Sequence, residues 1–498
     1  MDQLHQLSFF DIYEKNARLL NEKPAILWRQ QEISFAKLYE QTLGLAAGLC
    51  SLPAGTRVAV LCRNHPVFFH LFGAASALNL TLVLINRRLS DSEIQHIIED
   101  TTPQMILCDH DMASRASLLV SRCPFVDQLL VVDGPDETLS SWYRDPQAFT
   151  PVLCRNTDPF VIIHTAAVQG KPRGAVLSQE NIMLANLQLI HYYHLNPSSC
   201  VADILPLFHI MGVNLGLAVL QAGGKNAILE KFDPVDTLTL VQDLKVTHLG
   251  SFPPILTLLL DAIDTGTYDL KSLELAAGLD APDTVKRWES TTGTPFWTMY
   301  GQTETSGLIT FSPYFERAGS AGAVSPLVDI RITDDFDRFL PAGETGEILV
   351  RGPLVFQGYW NASELNAHTF RNGWHHTGDL GMIDPDGFLF FKGRKAEKEL
   401  IKPGGENVFP AEVEQAIMQH DAVKEVCVFG VPDPKFGEGI KAVCSLHPDK
   451  TVTADELIRF TGSLIAGYKK PRHVKFIPDL PKTKDGTIDR KKIKQQFT

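Results

Sequence analysis

The chain has 498 residues, which is more than one hydrophobic core usually supports, so at least two domains are expected. Its composition, with 44% hydrophobic and 21% charged residues, is typical of a globular enzyme and excludes a disordered, collagen-like or membrane-spanning chain. A net charge of −12 argues against nucleic-acid binding as the main function.

The N-terminal residues and the cysteines indicate the cellular compartment. Residues 1–28 carry acidic side chains where a secretory signal requires a basic and then an apolar run, and no later segment has 18 uninterrupted apolar residues. The eight cysteines include no close pair of the kind that binds zinc or works in redox exchange. We therefore expect a cytoplasmic protein with buried thiols and no integral membrane segment.

Helical and β-branched segments alternate along the first part of the chain. In chain order, the pattern predicts a helix over 35–49, a strand over 57–61, a helix over 66–78 and a strand over 81–85. This alternation favours an α/β fold with largely parallel sheets that are covered by helices on both faces. We expect a large N-terminal domain built on two doubly wound sheets.

The pattern changes near Asp329. The short strands VDIRITDD, GEILVRG and GFLFFKGR, separated by turns such as 384–387, predict a small, β-barrel-like antiparallel unit. Beyond Lys402 a compact alternation of helices and strands predicts a small α+β domain. The charged run 393–405 ends in Pro-Gly-Gly and has no apolar periodicity, so we place the boundary inside it, between domains 1–397 and 398–498.

The segment TAAVQGKPRG, which begins at Thr165, follows a β-branched run and has the character of a phosphate-binding loop. Interpreted as a turn between a strand and a helix, it would direct backbone N–H groups, including those of Gly170 and Gly174, at a phosphate. Lys171 and Arg173 would add positive charge. The Gly-Lys-Ser/Thr ending of a Walker motif is missing, so a surface turn with two solvated cations remains the alternative.

Four further motifs accompany this loop. They are FWTMYGQTETSG at 296–307, WHHTGDLG at 374–381, GRKAEKELIKPGGENVFPAEVE at 393–414 and PKTKDGTIDR at 481–490. In their order and separation they resemble the AMP-forming acyl- and aryl-CoA synthetases of the adenylate-forming (ANL) superfamily, from about residue 35 to residue 490. The resemblance implies ATP, Mg²⁺ and coenzyme A as cofactors and a small-molecule carboxylic acid as the substrate.

The first two motifs would hold the nucleotide. Tyr300 offers an aromatic face for adenine, Thr303 a hydroxyl for the α-phosphate, and Glu304 an oxygen ligand for Mg²⁺. Asp379 would accept both ribose hydroxyls, and Arg394 resembles the second ribose contact of the family. The adjacent residues His375 and His376 look like a metal pair, but neighbours in a strand point to opposite faces, so we do not assign a metal to them.

The resemblance also implies a hinge, a channel for CoA and an acid-binding pocket. The small domain of such enzymes turns about a hinge residue between the two half-reactions, and Lys398 or Glu399 occupies that place here. The remaining positions implied by the resemblance are Gly404, Gly405 and Glu406 for CoA, Gly278 for the nucleotide, and His209, Phe252, Ala277 and Gly301 for the acid. A side chain at residue 405 would block the channel, which explains the glycine.

Two departures from the family pattern affect the step that consumes ATP. Hydroxyl-bearing residues of the phosphate loop are replaced by Ala, Val and Gln, so that Thr165 is the only hydroxyl left. Thr487 stands where the family has its adenylation lysine, and Lys484 is a candidate substitute. Three interpretations stay open: a CoA ligase, an enzyme that loads a separate carrier protein, and a nucleotide- or acyl-CoA-binding pseudo-enzyme or accessory subunit. A homodimer also stays open as the oligomeric state.

Overall fold

A computed structural model describes residues 6–135, 137–146, 149–152, 154–165, 172–395, 400–434, 436–483 and 487–498. Five of the residues expected at the site lie outside these ranges, as does the expected boundary between 397 and 398. They are Gly170, Lys171, Lys398, Glu399 and Lys484. Their roles therefore stay predictions.

Helices and strands alternate along the chain. The helices are α1 Phe9–Leu20, α2 Phe35–Leu49, α3 Val67–Leu78, α4 Asp91–Thr101, α5 Ala113–Val120, α6 Gln179–Tyr192, α7 Ile210–Gln221, α8 Pro234–Leu244, α9 Ile255–Thr265, α10 Pro282–Thr292, α11 Ser363–Thr369, α12 Pro410–Ile417, α13 Ala454–Leu464 and α14 Arg490–Phe497. The strands are β1 Pro24–Trp28, β2 Gln31–Ser34, β3 Arg57–Leu61, β4 Thr81–Leu84, β5 Met105–Cys108, β6 Gln128–Val131, β7 Pro159–Thr165, β8 Arg173–Ser178, β9 Cys200–Asp203, β10 Lys225–Ile228, β11 His248–Ser251, β12 Leu275–Gly278, β13 Phe296–Gln302, β14 Gly307–Pro313, β15 Ala323–Val324, β16 Asp329–Thr333, β17 Gly346–Arg351, β18 Gly358–Tyr359, β19 His375–Ile383, β20 Leu389–Arg394, β21 Val423–Asp433, β22 Gly437–Leu446 and β23 His473–Phe476.

Two large sheets form the body of the protein, as the sequence predicts. One has seven strands in the order β18-β8-β7-β4-β3-β5-β6, and the other has nine in the order β15-β14-β13-β12-β11-β9-β10-β1-β2. Both are parallel at their centres and antiparallel at an edge. Helix α3 is buried along its whole length, and α7 along nearly all of it, because residues of both helices and of both sheets share one hydrophobic core.

The expectation that the glycine-rich loop joins a strand to a helix is wrong. Residues 166–171 connect β7 to the antiparallel strand β8, in which Arg173 pairs with Thr165. Helix α6 begins only at Gln179, where the Ser178 side chain accepts a hydrogen bond from the backbone N–H of Asn181. The segment RGAVLS, which has the length and apolar character of a strand, separates the loop from the helix. The loop therefore does not lead directly into the N-terminus of α6, where the positive end of the helix dipole lies.

Two smaller units follow. Strands β16, β17, β19 and β20 form an antiparallel sheet of four strands in that order, which is the unit expected near Asp329. In the part of the chain that the structure describes, its two edge strands do not pair with each other, so this sheet is open. The last hundred residues form a three-stranded sheet, β21-β22-β23, with α12 and α13 in one core and α14 against a second. This confirms the small α+β domain.

The cysteines and the helices bear on two further expectations. All of the cysteines are buried except Cys50, which is exposed at the end of α2 and corrects the expectation of uniformly buried thiols. Across the residues described, none of the helices combines the length and the apolar character needed to cross a bilayer.

Candidate active site

The carboxylate of Asp379 is the centre of a buried polar group. Its Oδ2 accepts hydrogen bonds from the Tyr300 hydroxyl at 2.8 Å and from Gln302 Nε2 at 2.5 Å. Arg394 is its neighbour across β19 and β20, with Nε 3.1 Å from Oδ1. Burial and the Asp379 charge raise the pKa of Tyr300 well above its ordinary value, so this hydroxyl stays a donor. Three of these residues are those expected for the nucleotide; Gln302 is an addition inside the same YGQTE motif.

Asp379 retains capacity to bind a ligand. Its side chain is 1% exposed, and Oδ1 accepts no hydrogen bond from any described residue, although Arg394 lies beside it. A buried carboxylate oxygen without a donor is costly unless a ligand supplies one. The two hydroxyls of a ribose are donors of the type that this oxygen lacks.

Glu347 holds the turn that carries Asp379. Its Oε1 accepts the backbone N–H of Gly378 at 2.9 Å, while Oε2 lies 3.2 Å from His376 Nδ1 and 3.0 Å from Lys395 Nζ. Burial alone would raise the pKa of Glu347, but hydrogen bonds from His376 and Lys395 lower it to about 2. His375 packs instead against the ring of Phe356, so the two histidines do face opposite sides. The motifs did not single out Glu347, which comes from a different strand.

We expect Glu347→Gln to destabilise the protein in a pH-dependent way. Because the pKa of Glu347 is lower in the folded protein than in the unfolded chain, its stabilisation is present above about pH 4.5 and is lost as the pH falls towards 2. At pH 7 the loss is on the order of 2–3 kcal/mol. Thermal unfolding should therefore give a midpoint several degrees lower for the variant at pH 7, with a difference that shrinks in acid. Glu344→Gln, an exposed neighbour, is the control; a difference that persists unchanged at pH 3 would contradict the assignment.

Glu304 forms the second polar group. Its Oε1 accepts hydrogen bonds from Thr165 Oγ1 at 3.1 Å and from the Tyr359 hydroxyl at 2.9 Å. The Arg173 guanidinium lies 6.0 Å from the centre of the Tyr359 ring. The structure thus brings Thr165 and Arg173, from the two ends of the glycine-rich segment, close to the carboxylate expected for Mg²⁺. Thr303 begins the same short turn as Glu304. Tyr359 is an addition that the motifs do not reveal, because it comes from the distant strand β18.

Close backbone packing explains why residues 278 and 301 are glycines: Gly278 and Gly301 leave no room for a side chain. A Cβ on Gly278 would lie 1.6 Å from the carbonyl oxygen of Ser251, and one on Gly301 would lie 1.9 Å from that of Gly307. Contacts this short with backbone atoms exclude any side chain. The glycines keep neighbouring strands close at the edge where the nucleotide residues stand, and the buried Ala277 belongs to the same strand as Gly278.

A third group joins the two domains at Glu406. This carboxylate accepts hydrogen bonds from Asn86 Nδ2 at 3.0 Å and Arg88 NH1 at 2.9 Å, and His209 Nε2 lies 3.7 Å away. Burial would raise the pKa of Glu406, but His209 and Arg88 hold it below its ordinary value. The expected acid-pocket residue His209 therefore lies beside the expected CoA residue Glu406.

The glycines before Glu406 bring the loop against the large domain. Gly404 and Gly405 have φ values of +61° and +84°, which other residues adopt at a cost. A Cβ on Gly405 would lie 3.7 Å from the Cβ of Phe252, so a longer side chain would enter the space beside that residue. Lys402, just before this loop, lies close enough to Arg394 and Asp379 that their charges act on it, although burial is the main cause that lowers its pKa.

Thr487 is not part of this assembly. It is exposed, and its hydroxyl hydrogen bonds to Thr483 Oγ1 at 2.8 Å within the C-terminal domain. Its loop is tied to the rest of that domain by Lys482, whose Nζ lies 2.6 Å from Glu425. In this domain orientation Glu406 contacts polar residues of the large domain, whereas Thr487 contacts Thr483 of its own domain.

The chain is similar to known proteins over nearly its whole length. The chain matches the family model described as AMP-binding enzyme over residues 13–360 and the model described as AMP-binding enzyme C-terminal domain over residues 412–487. It is 30% identical to indoleacetate–CoA ligase of Aromatoleum aromaticum, over 97% of this chain and 96% of that protein. It is also 30% identical to a long-chain-fatty-acid–CoA ligase of Escherichia coli O6:H1, over 98% of this chain and 94% of that protein.

A solved structure extends the similarity to the whole fold. A double mutant of o-succinylbenzoate CoA synthetase from Bacillus subtilis, bound with its product analogue OSB-NCoA, is 26% identical, with a TM-score of 0.87 over 97% of both chains. The chain therefore belongs to the AMP-binding enzyme family, as an AMP-forming acyl- or aryl-CoA synthetase.

Proposed function

We propose that this enzyme activates a fatty or aromatic carboxylic acid with ATP, through an acyl-AMP intermediate, and transfers the acyl group to CoA. The observation that carries the proposal is the meeting of two groups from different domains. His209, expected at the acid pocket, stands on one side, and Glu406, expected for CoA, stands on the other, 3.7 Å from His209 Nε2. An acyl group held beside His209 would thus lie beside the loop expected to guide the thiol.

Relatives support the acid class but leave it broad. The names of two relatives specify indoleacetate, an aromatic acid, and long-chain fatty acids, and identity to both is 30%. Of the residues expected to take the acid, Ala277 and Phe252 pack in one hydrophobic core, and His209 lies beside Glu406. Phe252 and Ala277 are apolar, which suits the body of either type of acid.

In the first half-reaction a carboxylate oxygen attacks the α-phosphorus of ATP. A new P–O bond forms, the bond to pyrophosphate breaks, and acyl-AMP remains. Tyr300 and Asp379 would orient the nucleoside, with Gln302 and Arg394 fixing the Asp379 carboxylate. Glu304 is suited to hold Mg²⁺, because Thr165 and Tyr359 occupy only its Oε1 and Mg²⁺ prefers carboxylate and phosphate oxygens. When bound, the ion supplies charge neutralisation for the phosphates.

In the second half-reaction the thiol sulfur of CoA attacks the carbonyl carbon of acyl-AMP. The C–S bond forms, the C–O bond to AMP breaks, and the thiol proton is released. Gly404 and Gly405 keep the approach free of side chains, while Glu406 anchors the loop to Asn86 and Arg88. The similarity over the whole chain to a structure that holds a CoA product analogue supports this use of the present domain orientation.

The proposal is tested with a panel of carboxylic acids. Purified protein is incubated with each acid, ATP, Mg²⁺ and CoA, and AMP and acyl-CoA are measured together. At least one fatty or aromatic acid should give both products in equal amounts and in a CoA-dependent manner. Formation of ADP instead of AMP, or no acyl-CoA with any acid, would contradict the proposed function.

We expect Thr487→Lys to accelerate adenylation selectively. Thr487 cannot supply the positive charge that stabilises the transition state of carboxylate attack, and loss of one preorganised donor usually costs on the order of 10²–10³ in rate. Restoring the charge should raise single-turnover formation of acyl-AMP by about tenfold or more and leave thiol transfer unchanged. Thr483→Lys, on the same loop, is the matched control. Absence of a gain would show that another group already fills this role.

A further inference from the structure

A buried cluster of three charged residues joins the two domains away from the polar groups described above. Lys469 is 1% exposed, and its Nζ contacts Glu412 Oε1 at 2.6 Å. The same ammonium contacts Glu93 Oε1. Glu412 belongs to α12 of the small domain, whereas Glu93 belongs to α4 of the large domain, and both are buried. One lysine therefore bridges carboxylates from the two domains.

The two carboxylates differ in how they are supported. Glu93 also accepts hydrogen bonds from the backbone N–H and the hydroxyl of Ser90, both to Oε2, at the start of α4. Burial would raise the pKa of Glu93, but Lys469 and Ser90 hold it below its ordinary value. For Glu412, burial outweighs the attraction of Lys469 and raises the pKa to about 7. Lys469 contacts both carboxylates, and its contact with Glu93 is the one that crosses between the domains.

The surroundings of Lys469 belong to the same interface. Tyr468 packs against a hydrophobic core of the large domain and one of the small domain. Ser92 Oγ donates a hydrogen bond to the carbonyl oxygen of Leu464 at 3.5 Å. Arg88, two residues before Ser90, which is the N-cap residue of α4, contacts Glu406. The beginning of α4 therefore serves as one docking surface for the small domain.

Such a cluster can exist in only one arrangement of the domains. If the small domain turned to bring the loop of Thr487 to the large domain, Lys469 would leave Glu93, and the Glu93 carboxylate would lose its cation. Removal of one partner from a buried pair strongly disfavours the remaining charge, so the cluster favours the arrangement seen here. That arrangement places Glu406 beside His209.

We infer that Lys469 is a positioning residue for thiol transfer: through Glu93 it holds the small domain in the orientation that places the Glu406 loop beside the acyl pocket. The assignment to thiol transfer rests on the proposed function; the holding of the domains does not. In this role neither Lys469 nor Glu93 touches the reacting atoms. Loss of the pair should slow thiol transfer and spare the formation of acyl-AMP.

Domain docking is measured by crosslinking, without any substrate. Cysteines are placed at two exposed positions, Ser92, whose hydroxyl contacts Leu464, and Ser463, next to Leu464, in a Cys50→Ser background. The rate of crosslinking by a short bis-maleimide reports how often the interface is closed. Glu93→Gln should lower this rate by about tenfold or more, because the domains then spend less time docked. In that variant Lys469 keeps Glu412, so the small domain retains its own ion pair.

Lys469→Met provides an independent variant, and Lys424→Met is its matched control. Lys424 forms an exposed ion pair with Asp479 inside the small domain, 2.9 Å long. This control should crosslink at the wild-type rate. An unchanged crosslinking rate in both Glu93→Gln and Lys469→Met would overturn the inference.

The two half-reactions are then followed separately in the same proteins. Pyrophosphate release from ATP is measured with octanoate and phenylacetate, and AMP release is measured from presynthesised octanoyl-AMP and phenylacetyl-AMP with CoA. A selective loss of the second reaction supports the positioning role, whereas equal losses in both reactions would overturn it. If crosslinking falls as expected but wild-type protein performs neither reaction with any acid of the panel, the proposed function fails while the domain contact stands.

Discussion

Asp379→Ala should weaken AMP binding by about 1.5–3 kcal/mol, on the order of 10- to 100-fold in Kd. The carboxylate is fully buried, its Oδ1 accepts no hydrogen bond from the described residues, and its Oδ2 fixes Tyr300. The substitution removes the acceptor for the ribose hydroxyls and also leaves Arg394 without its ion-pair partner. Isothermal titration calorimetry with AMP measures the effect.

The control keeps the same chemical change but moves it away from the site. Asp386→Ala removes a carboxylate from the exposed turn of the same four-stranded unit, and AMP affinity should not change. Asp379→Asn should give an intermediate loss, since an amide oxygen still accepts hydrogen bonds. If the Asp379→Ala protein is folded and binds AMP as tightly as wild type, Asp379 does not belong to a nucleotide site.

Gly405→Leu should slow thiol transfer by a factor on the order of 100 and leave adenylation almost unchanged. A Cβ at this position would already lie 3.7 Å from the Cβ of Phe252, so the rest of a leucine side chain would fill the approach beside the acyl pocket. Single-turnover conversion of presynthesised acyl-AMP and CoA measures the loss. Pyrophosphate release in the absence of CoA measures the step that should be spared.

Backbone strain needs a separate control, because Gly405 has a φ of +84°. Gly387 has a φ of +85° in a turn with open space around it, so Gly387→Leu introduces the same strain without obstruction. This variant should retain both half-reactions. Equal thiol-transfer rates in wild type and Gly405→Leu would exclude a channel past Gly405.

Local motifs made much of the nucleotide site predictable from the sequence. Tyr300 and Glu304 stand four residues apart in one motif, and Asp379 has its own Thr-Gly-Asp turn, so their types and order suffice to single them out. Gln302 lies in the same motif between Tyr300 and Glu304, so its position also marks it as a candidate site residue.

Residues from distant segments could not be predicted in this way. Glu347 reaches the Asp379 turn through the pairing of β17 with β19, and Tyr359 reaches Glu304 from an edge strand of the other sheet. Glu93 meets Lys469 across 376 residues of sequence. These contacts depend on strand register and domain docking, which no local pattern specifies.

The fold, like the site, was predictable where the local pattern is clear and not where the pattern is short. Helix α2 and strand β3 have the predicted bounds because their periodicity is clear, and Ser34 marks the start of the helix by accepting the N–H of Lys37. The sequence does not separate strand β8 from a turn that leads into a helix, because six residues that end in a helix cap carry too little periodicity. The pairing of Arg173 with Thr165 decides between them.

Oxygen-isotope transfer distinguishes the proposed acyl-AMP route from alternatives in which the carboxylate never bonds to the α-phosphate. An acid of the panel that proves to be a substrate is labelled with ¹⁸O in both carboxylate oxygens and converted with unlabelled ATP, Mg²⁺ and CoA. If the carboxylate attacks the α-phosphorus and the thiol then breaks the C–O bond, the bridging oxygen leaves with AMP. Mass spectrometry should find one ¹⁸O in each AMP and one in each acyl-CoA; AMP without the label would contradict the acyl-AMP intermediate.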